Sequence, residues 1–501
     1  MKAVLADSEV WSSTKDTVVL MDYEGGERAI TWLSKVSKEL GDMLAQSVCS
    51  NDFRFKEAQV MVSYTHGHLP SKRIVFAGLG KKELFNINKV RIAIASAVNH
   101  VRQMGVKELA VRVAGHDLGV EDGAFATAVV ESAILTHHKY DIHKTEKDQV
   151  FLERIVLAAQ GKVKEIEPSV RYAIVVASKT VMARDLENMG STEKPPKMIV
   201  DYVKKFSSGR IKVTALMKKD LKRMGAGGIL AVNRGSSHEP YLLVMEYNSS
   251  KKNLPLVALV GKGIIFDSGG HSIKDACNME LMKCDLCGAV GVIHATMAAA
   301  ELDLPVRIVA ISALTENAIG PDAYKPGDFI KTMSGKTVEI LNTDAEGRLI
   351  LADALHYAKG FKPEYLIDMA TLTGACFIAL GSECAGLFQT DDDLRRMLMK
   401  SGEETWERLW PMPMWDEYGE LMKSDFADLK NVVANGRTGG GAITAAKFLQ
   451  NFVDKNQKWA HIDIAGVDWV EAEKDYRPKG ATGYGVRLLT RFLADLSKQH
   501  Y

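Results

Sequence analysis

The segment LPLVALVGKGIIFDSGG, Leu254 to Gly270, decides the fold. Leu254 to Gly261 is a continuous apolar run rather than an alternating one, the pattern of a strand buried on both faces. A glycine-rich stretch holding Lys262 and Asp267 follows it. Similar runs recur at Val306–Leu314, Tyr365–Leu372 and Trp459–Gly466. Between them, helical periodicity is predicted over Glu280–Ala300, Glu346–Ala358 and Gly485–Ser497. This order implies a central sheet covered by helices, with chemistry at the carboxyl ends of its strands.

Upstream, Arg73–Gly80, Glu108–Val113 and Arg154–Ala158 read as strands, with helical stretches from Val90 to Met104 and from about Ala124. A long helical pattern over residues 164–188 then breaks at Gly190 and Pro195-Pro196. The expectation is an α/β chain with a smaller N-terminal domain (1–165) and a larger C-terminal catalytic domain (166–501). The latter carries a central mixed sheet flanked by helices, and the linker helix spans about 164–188.

The 501 residues are 46% hydrophobic and 25% charged, ordinary globular values that exclude a disordered or fibrous chain. Lys plus Arg number 64 against 63 Asp plus Glu, a net charge of +1, so no global pull toward nucleic acid exists. Six Cys fit a reducing compartment. Asp7 and Glu9 interrupt the place where a signal peptide needs an apolar core. The apolar run Gly288–Ala300 is too short to span a bilayer. A cytoplasmic protein without a membrane segment is expected.

Several common signatures fail. Glu83 stands where a dinucleotide fingerprint needs its third Gly, and Gly261-Lys262-Gly263 lacks the Ser or Thr of a phosphate-binding loop. Pro240 and Leu242 spoil a zinc-protease helix at His238-Glu239, and Phe266 spoils a nucleophile elbow before Ser268. Cys284 and Cys287 form a CxxC that could hold structural zinc with His271 and Cys277, or act as a redox pair. The simpler reading is two small apolar residues packed at i and i+3 on a helix.

Asp267, Asp285, Asp344 and Glu346 fall near strand ends or helix starts, with Lys262, Lys274 and Arg348 among them. Gathered carboxylates repel one another unless cations intervene. Four carboxylates balance two divalent ions, and a nearby Lys or Arg offsets a bridging hydroxide, so the charges close on a dinuclear site.

The run Asn342-Thr343-Asp344-Ala345-Glu346-Gly347-Arg348-Leu349 resembles the signature of the leucine aminopeptidase (cytosol aminopeptidase) family, metallopeptidase family M17. Gly261-Lys262-Gly263, Phe266–Gly270, Ile273-Lys274, Met282-Lys283 with Asp285, Tyr324–Asp328 and Ala370–Ala375 match the same family in order. The resemblance is strongest over residues 165–501. The sequence departs from the usual pattern at His271, at Asp275 and over Arg184–Pro196.

The resemblance implies a metal-dependent aminopeptidase that hydrolyses the N-terminal peptide bond of peptides. Lys262, Asp267, Asp285, Asp344 and Glu346 match its metal ligands. Asp267 and Glu346 would serve both ions, Asp285 and Lys262 one, and Asp344 the other. The ions would be Zn2+ or Mn2+, with Mg2+ as an alternative, and a bridging hydroxide between them would be the nucleophile. Lys274 would polarise the carbonyl, and Arg348 would hold a bicarbonate proton shuttle. Met282, Asn342, Thr371, Leu372 and Gly374 would line a pocket preferring Leu or Met. The family also implies a homohexamer of two trimers. Two rivals are a DNA-binding or regulatory protein, which the balanced charge disfavours, and a structural zinc protein built on the CxxC.

Overall fold

The computed structural model describes residues 1–146, 152–206, 209–249, 254–433 and 439–499. The chain forms two compact units, Met1–Ser178 with Glu471–Lys479, and Lys179–Val470 with Gly480–Tyr501. The helix Val163–Asn188 passes from one to the other. Nothing in the sequence pattern announces that Glu471–Lys479 returns to the first unit, where the Tyr476 hydroxyl donates to Asn88 Oδ1 at 3.0 Å.

The first unit holds a six-stranded sheet ordered Lys2–Ala6, Arg154–Ala158, Glu108–Arg112, Thr17–Asp22, Arg73–Gly78, Val60–Tyr64. All neighbours are parallel except the last pair. Strand residues alternate between two faces. Val19, Val75, Leu109 and Val111 pack with the helices Ile87–Arg102 and Asp122–His137. Val18, Leu20, Ile74 and Phe76 pack with the helices Glu27–Ser34 and Lys38–Cys49.

The second unit holds an eight-stranded mixed sheet. Its order is Leu409–Pro411, Ala385–Gln389, Lys458–Asp463, Tyr365–Ala370, Leu256–Asp267, Arg307–Asn317, Tyr241–Asn248, Ile211–Met217. The four central strands are mutually parallel, and antiparallel pairs join them to both flanks. One face is covered by Cys287–Glu301 and Val486–Gln499, the other by Gly347–Lys359 and Gly441–Gln450.

Two expected elements come out differently. The strand predicted to stop at Gly261 continues to Asp267. Its glycines belong to the sheet because a helix crosses closely there: a Cβ on Gly261 would lie 2.4 Å from Ala289 Cα. The helix predicted from Glu280 instead begins at Cys287, after a short 3-10 turn Met282–Cys284. Cys284 and Cys287 therefore do not share one helix. The segment Ala276–Glu301 has the length and hydropathy of a membrane span, but 83% of its apolar window is buried, and Val290, Ile293 and Met297 sit in the core.

Candidate metal centre and active site

The carboxyl ends of the central strands gather the site. Lys262 lies within the strand Leu256–Asp267 and is 3% exposed. Its Nζ donates to Asp285 Oδ1 at 2.7 Å and to the Thr371 carbonyl at 2.7 Å, and pairs with Glu346 Oε1 at 3.0 Å. Gly347 makes room for it, since a Cβ there would sit 2.5 Å from Lys262 Cε. Asp285 follows the 3-10 turn, where the helical pattern lapses and frees it to face Lys262. The Thr371 hydroxyl donates to Asp285 Oδ1 at 2.7 Å.

Asp267 ends its strand. Its Oδ1 accepts from Gly269 N–H at 2.8 Å and Asn317 Nδ2 at 2.7 Å, while Oδ2 pairs with Lys274 Nζ at 2.9 Å. Lys274 also pairs with Asp344 Oδ1 at 2.5 Å. Oxygens of Asp267, Asp344 and Glu346 lie within 4.8 Å of one another. Gly269, at φ +81°, adopts a conformation suited to glycine, and a Cβ on it would meet Asp344 Oδ1 at 2.9 Å. Thus Lys262, Asp267, Asp285, Asp344, Glu346 and Lys274 form one continuous network, buried except at half-buried Lys274 and Asp344.

The electrostatics show unmet demand for positive charge. Burial, joined by Glu346 and Asp267, pushes Asp285 well above the carboxylate range against the pull of Lys262. Burial and Asp267 raise Asp344 to about 6, with Lys274 opposing. Burial alone would favour neutral forms of Lys262 and Lys274, but the surrounding carboxylates outweigh it and raise both. Two ammonium groups face four carboxylates, and Asp285 Oδ2 and Glu346 Oε2 are buried without a hydrogen-bond partner among the described residues. Orphaned buried oxygens in an acidic cluster fit divalent ions. Lys262 would have to give up its proton to join them as a ligand.

Arg348 lies apart from these ion pairs, 7% exposed. Its Nη1 donates to the Asn431 carbonyl at 2.6 Å. Burial lowers it to about 10, against Glu346 and Asp463. It borders a cavity of about 480 Å³ lined by Ala375, Ile378, Met412, Val433 and Ile443. Thr371 is in contact with the network, and Leu372 and Gly374 continue the same connection. Asn342 Oδ1 accepts from Asp344 N–H at 2.8 Å. Met282 stands half-buried three residues before Asp285.

Several supporting residues were not singled out from the sequence. Asn317, fully buried, holds Asp267 and the Thr343 carbonyl, and the Tyr324 hydroxyl donates to that same carbonyl at 2.7 Å. Asp463 accepts from Leu372 N–H and from the Thr373 hydroxyl. Asn431 accepts from Leu341 N–H and donates to the Asn342 carbonyl. The only signal was a polar residue closing each apolar strand run, at Asn317 and Asp463. His271 and Cys277 are exposed and do not join the CxxC.

Residues 181–490 match the model of the cytosol aminopeptidase family, catalytic domain, and residues 18–147 match that family's N-terminal domain. The chain belongs to the cytosol aminopeptidase family. It is 42% identical to a probable cytosol aminopeptidase of Geobacter sulfurreducens over 92% of each chain. It is 35% identical to one of Alkaliphilus oremlandii over 99% of this chain and 100% of that one. Among solved structures, a variant of tomato leucine aminopeptidase superposes with TM-score 0.88 at 32% identity, covering 99% of this chain and 96% of that one. A manganese complex of the bottromycin maturation enzyme BotP reaches 0.84 at 28% identity, covering 97% and 100%. This aminopeptidase is accordingly a metallo-exopeptidase of a family with a dinuclear metal centre, and its two-domain α/β architecture is the family's.

Proposed function

We propose that this aminopeptidase removes Leu- and Met-like residues from the free N-termini of peptides. Lys262, Asp267, Asp285, Asp344 and Glu346 would hold two divalent ions, Zn2+ or Mn2+ before Mg2+. The observation that carries this reading is Glu346. Its Oε1 faces Lys262 beside Asp285, its other oxygen has no partner among the described residues, and it clusters with Asp267 and Asp344. When bound, such a pair activates water near neutral pH and offers Lewis-acidic positions for the substrate amine and carbonyl.

The chain's own groups do the rest. Lys274, an ammonium beside Asp267 and Asp344, is placed to donate to the scissile carbonyl oxygen as negative charge develops on it. Arg348 has a buried Nε without a partner among the described residues, and we assign it as the residue that would hold a bicarbonate ion, which would supply a proton acceptor there. Thr371, Leu372 and Gly374 border the carboxylate network, with Asn342 and Met282 on the other connections to it. The apolar lining of the cavity beside Arg348 supports a preference for an apolar side chain. The hexamer rests on the family resemblance, and sedimentation would measure it. A cytoplasmic location accords with the relatives' names. The balanced charge continues to argue against DNA binding as a main role.

The test is incubation of metal-loaded enzyme with leucine-anilide and its N-acetylated form. Cleavage of the free-amine compound alone, abolished by chelator, is expected. Cleavage of both, or indifference to chelator, would overturn the reading.

A further inference from the structure

The mechanism leaves one buried cluster unused. Sγ of Cys284, Sγ of Cys287 and a carboxylate oxygen of Asp468 lie within 4.8 Å of one another. The thiols are 3% and 1% exposed, and Asp468 is half-buried. Glu187, 0% exposed, interacts electrostatically with both Cys287 and Asp468. One of its oxygens accepts from Gly483 N–H at 3.2 Å, and the other, Oε1, has no hydrogen-bond partner among the described residues. Two buried thiols and a carboxylate oxygen gathered this closely, with a donorless buried carboxylate oxygen in electrostatic reach, point to a missing cation.

We propose that Cys284, Cys287 and Asp468, with a water completing the set and the charge of Glu187 nearby, form a third metal site, distinct from the catalytic pair and selective for a thiophilic tetrahedral ion of the Zn2+ class. A tetrahedral centre with metal–sulfur bonds of about 2.3 Å sets its sulfurs about 3.8 Å apart, inside the observed limit. Donor type separates the two kinds of site: the catalytic network offers only oxygen and amine donors, whereas this one offers two sulfurs. The protons balance. Each thiol releases one proton to solvent as its sulfur binds, and the Asp468 carboxyl, raised to about 7 by burial, gives up the fraction of a proton it still holds. Glu187 keeps two buried cations near it, Lys194 and Arg184. Lys194 Nζ donates to the carbonyls of Leu186, Glu187 and Lys283 at 3.0, 2.7 and 2.9 Å, and Arg184 Nε donates to the Thr482 carbonyl at 2.9 Å.

The test uses the full-length enzyme loaded with zinc, and separately with cobalt(II), then freed of excess ion by gel filtration. Three ions per chain are expected, with a near-ultraviolet thiolate-to-cobalt charge-transfer band that oxygen and amine donors cannot produce. Asp468→Asn should cut the content to two ions per chain and strip most of that band, with leucine-anilide turnover within twofold of the parent. Glu187→Gln, which keeps both thiols, should weaken cobalt binding at least tenfold. Zinc should also protect both thiols from alkylation. Two ions per chain, no sulfur band and equal alkylation with or without zinc would overturn the proposal, as would a band unchanged in both variants. A persistent third ion and sulfur band in an enzyme that cleaved no peptide would support this site while refuting the proposed catalysis.

Discussion

Two buried polar clusters meet at one turn, residues 282–287. Asp285 belongs to a network of oxygen and amine donors with Lys262, Glu346, Asp267 and Asp344, whereas Cys284 and Cys287 belong with Asp468. The first network sits at the carboxyl ends of parallel strands and includes lysines that partly neutralise it. The second lies among buried thiols with its cations tied to backbone carbonyls. Adjacent residues thus reach different chemistry because the helix predicted through them is broken at Asp285. Donor type and local backbone geometry, rather than proximity in sequence, set the two clusters apart.

The contrast is broken most severely by comparing Asp285→Ala with Asp468→Asn. The first should lose at least one catalytic ion and about 10³-fold or more in kcat/KM, given the several kcal/mol that metal-ion catalysis supplies. The second should leave kcat/KM within twofold. Metal analysis alongside kinetics measures both, and equal losses in the two variants would erase the distinction.

Next in size is Lys274→Ala. Removing a donor to a developing oxyanion costs about 10²–10³-fold in kcat, and the metal content should stay at the parent's value. Arg348→Ala should lower kcat by about 10²-fold and abolish any response to added bicarbonate, which a titration of the buffer would reveal.

A smaller effect sharpens the geometry. Gly347→Ala sets a methyl 2.5 Å from Lys262 Cε, so Lys262 must move. A loss of about 1–3 kcal/mol is expected in denaturant unfolding, together with weaker metal retention. An unchanged midpoint would show that Lys262 does not need that space.

The smallest effect lies away from both clusters, at the fully buried pair His461 and Asp368, joined at 2.6 Å. Burial disfavours the imidazolium, but the charge and hydrogen bond of Asp368 outweigh it and raise His461 above 6.5. Its contribution to stability is therefore fully present below about pH 6.5 and lost as pH rises through the folded-state value. His461→Gln should remove that part of the pH dependence, seen as a smaller drop in Tm between pH 6 and pH 9 than the parent shows.

Much of the carboxylate and lysine network was legible because gathered ionisable side chains are conspicuous beside apolar strand runs. The run Asn342–Leu349, Lys262 with Asp267, and Asp285 carry ionisable side chains next to apolar strand runs, so each stood out. Asn317, Asp463 and Asn431 did not. They act by hydrogen bonds across segments far apart in the chain, and a neutral amide or an acid closing a strand carries no periodic signal. The CxxC was visible, but its partners were sought nearby at His271 and Cys277. The fold exposes both and delivers Asp468 from the segment after the central strand Lys458–Asp463 instead. The central strands were visible as apolar runs, whereas Lys2–Ala6, with no fully buried residue, left no such run to read.

The central claim is that two divalent ions sit among Lys262, Asp267, Asp285, Asp344 and Glu346. Anomalous diffraction at the zinc and manganese edges, from crystals loaded with each metal, tests it most directly. Two anomalous peaks are predicted inside that network, one beside Asp285 and Lys262 and one beside Asp344. An empty network under both loadings, or peaks found only on the protein surface, would contradict it.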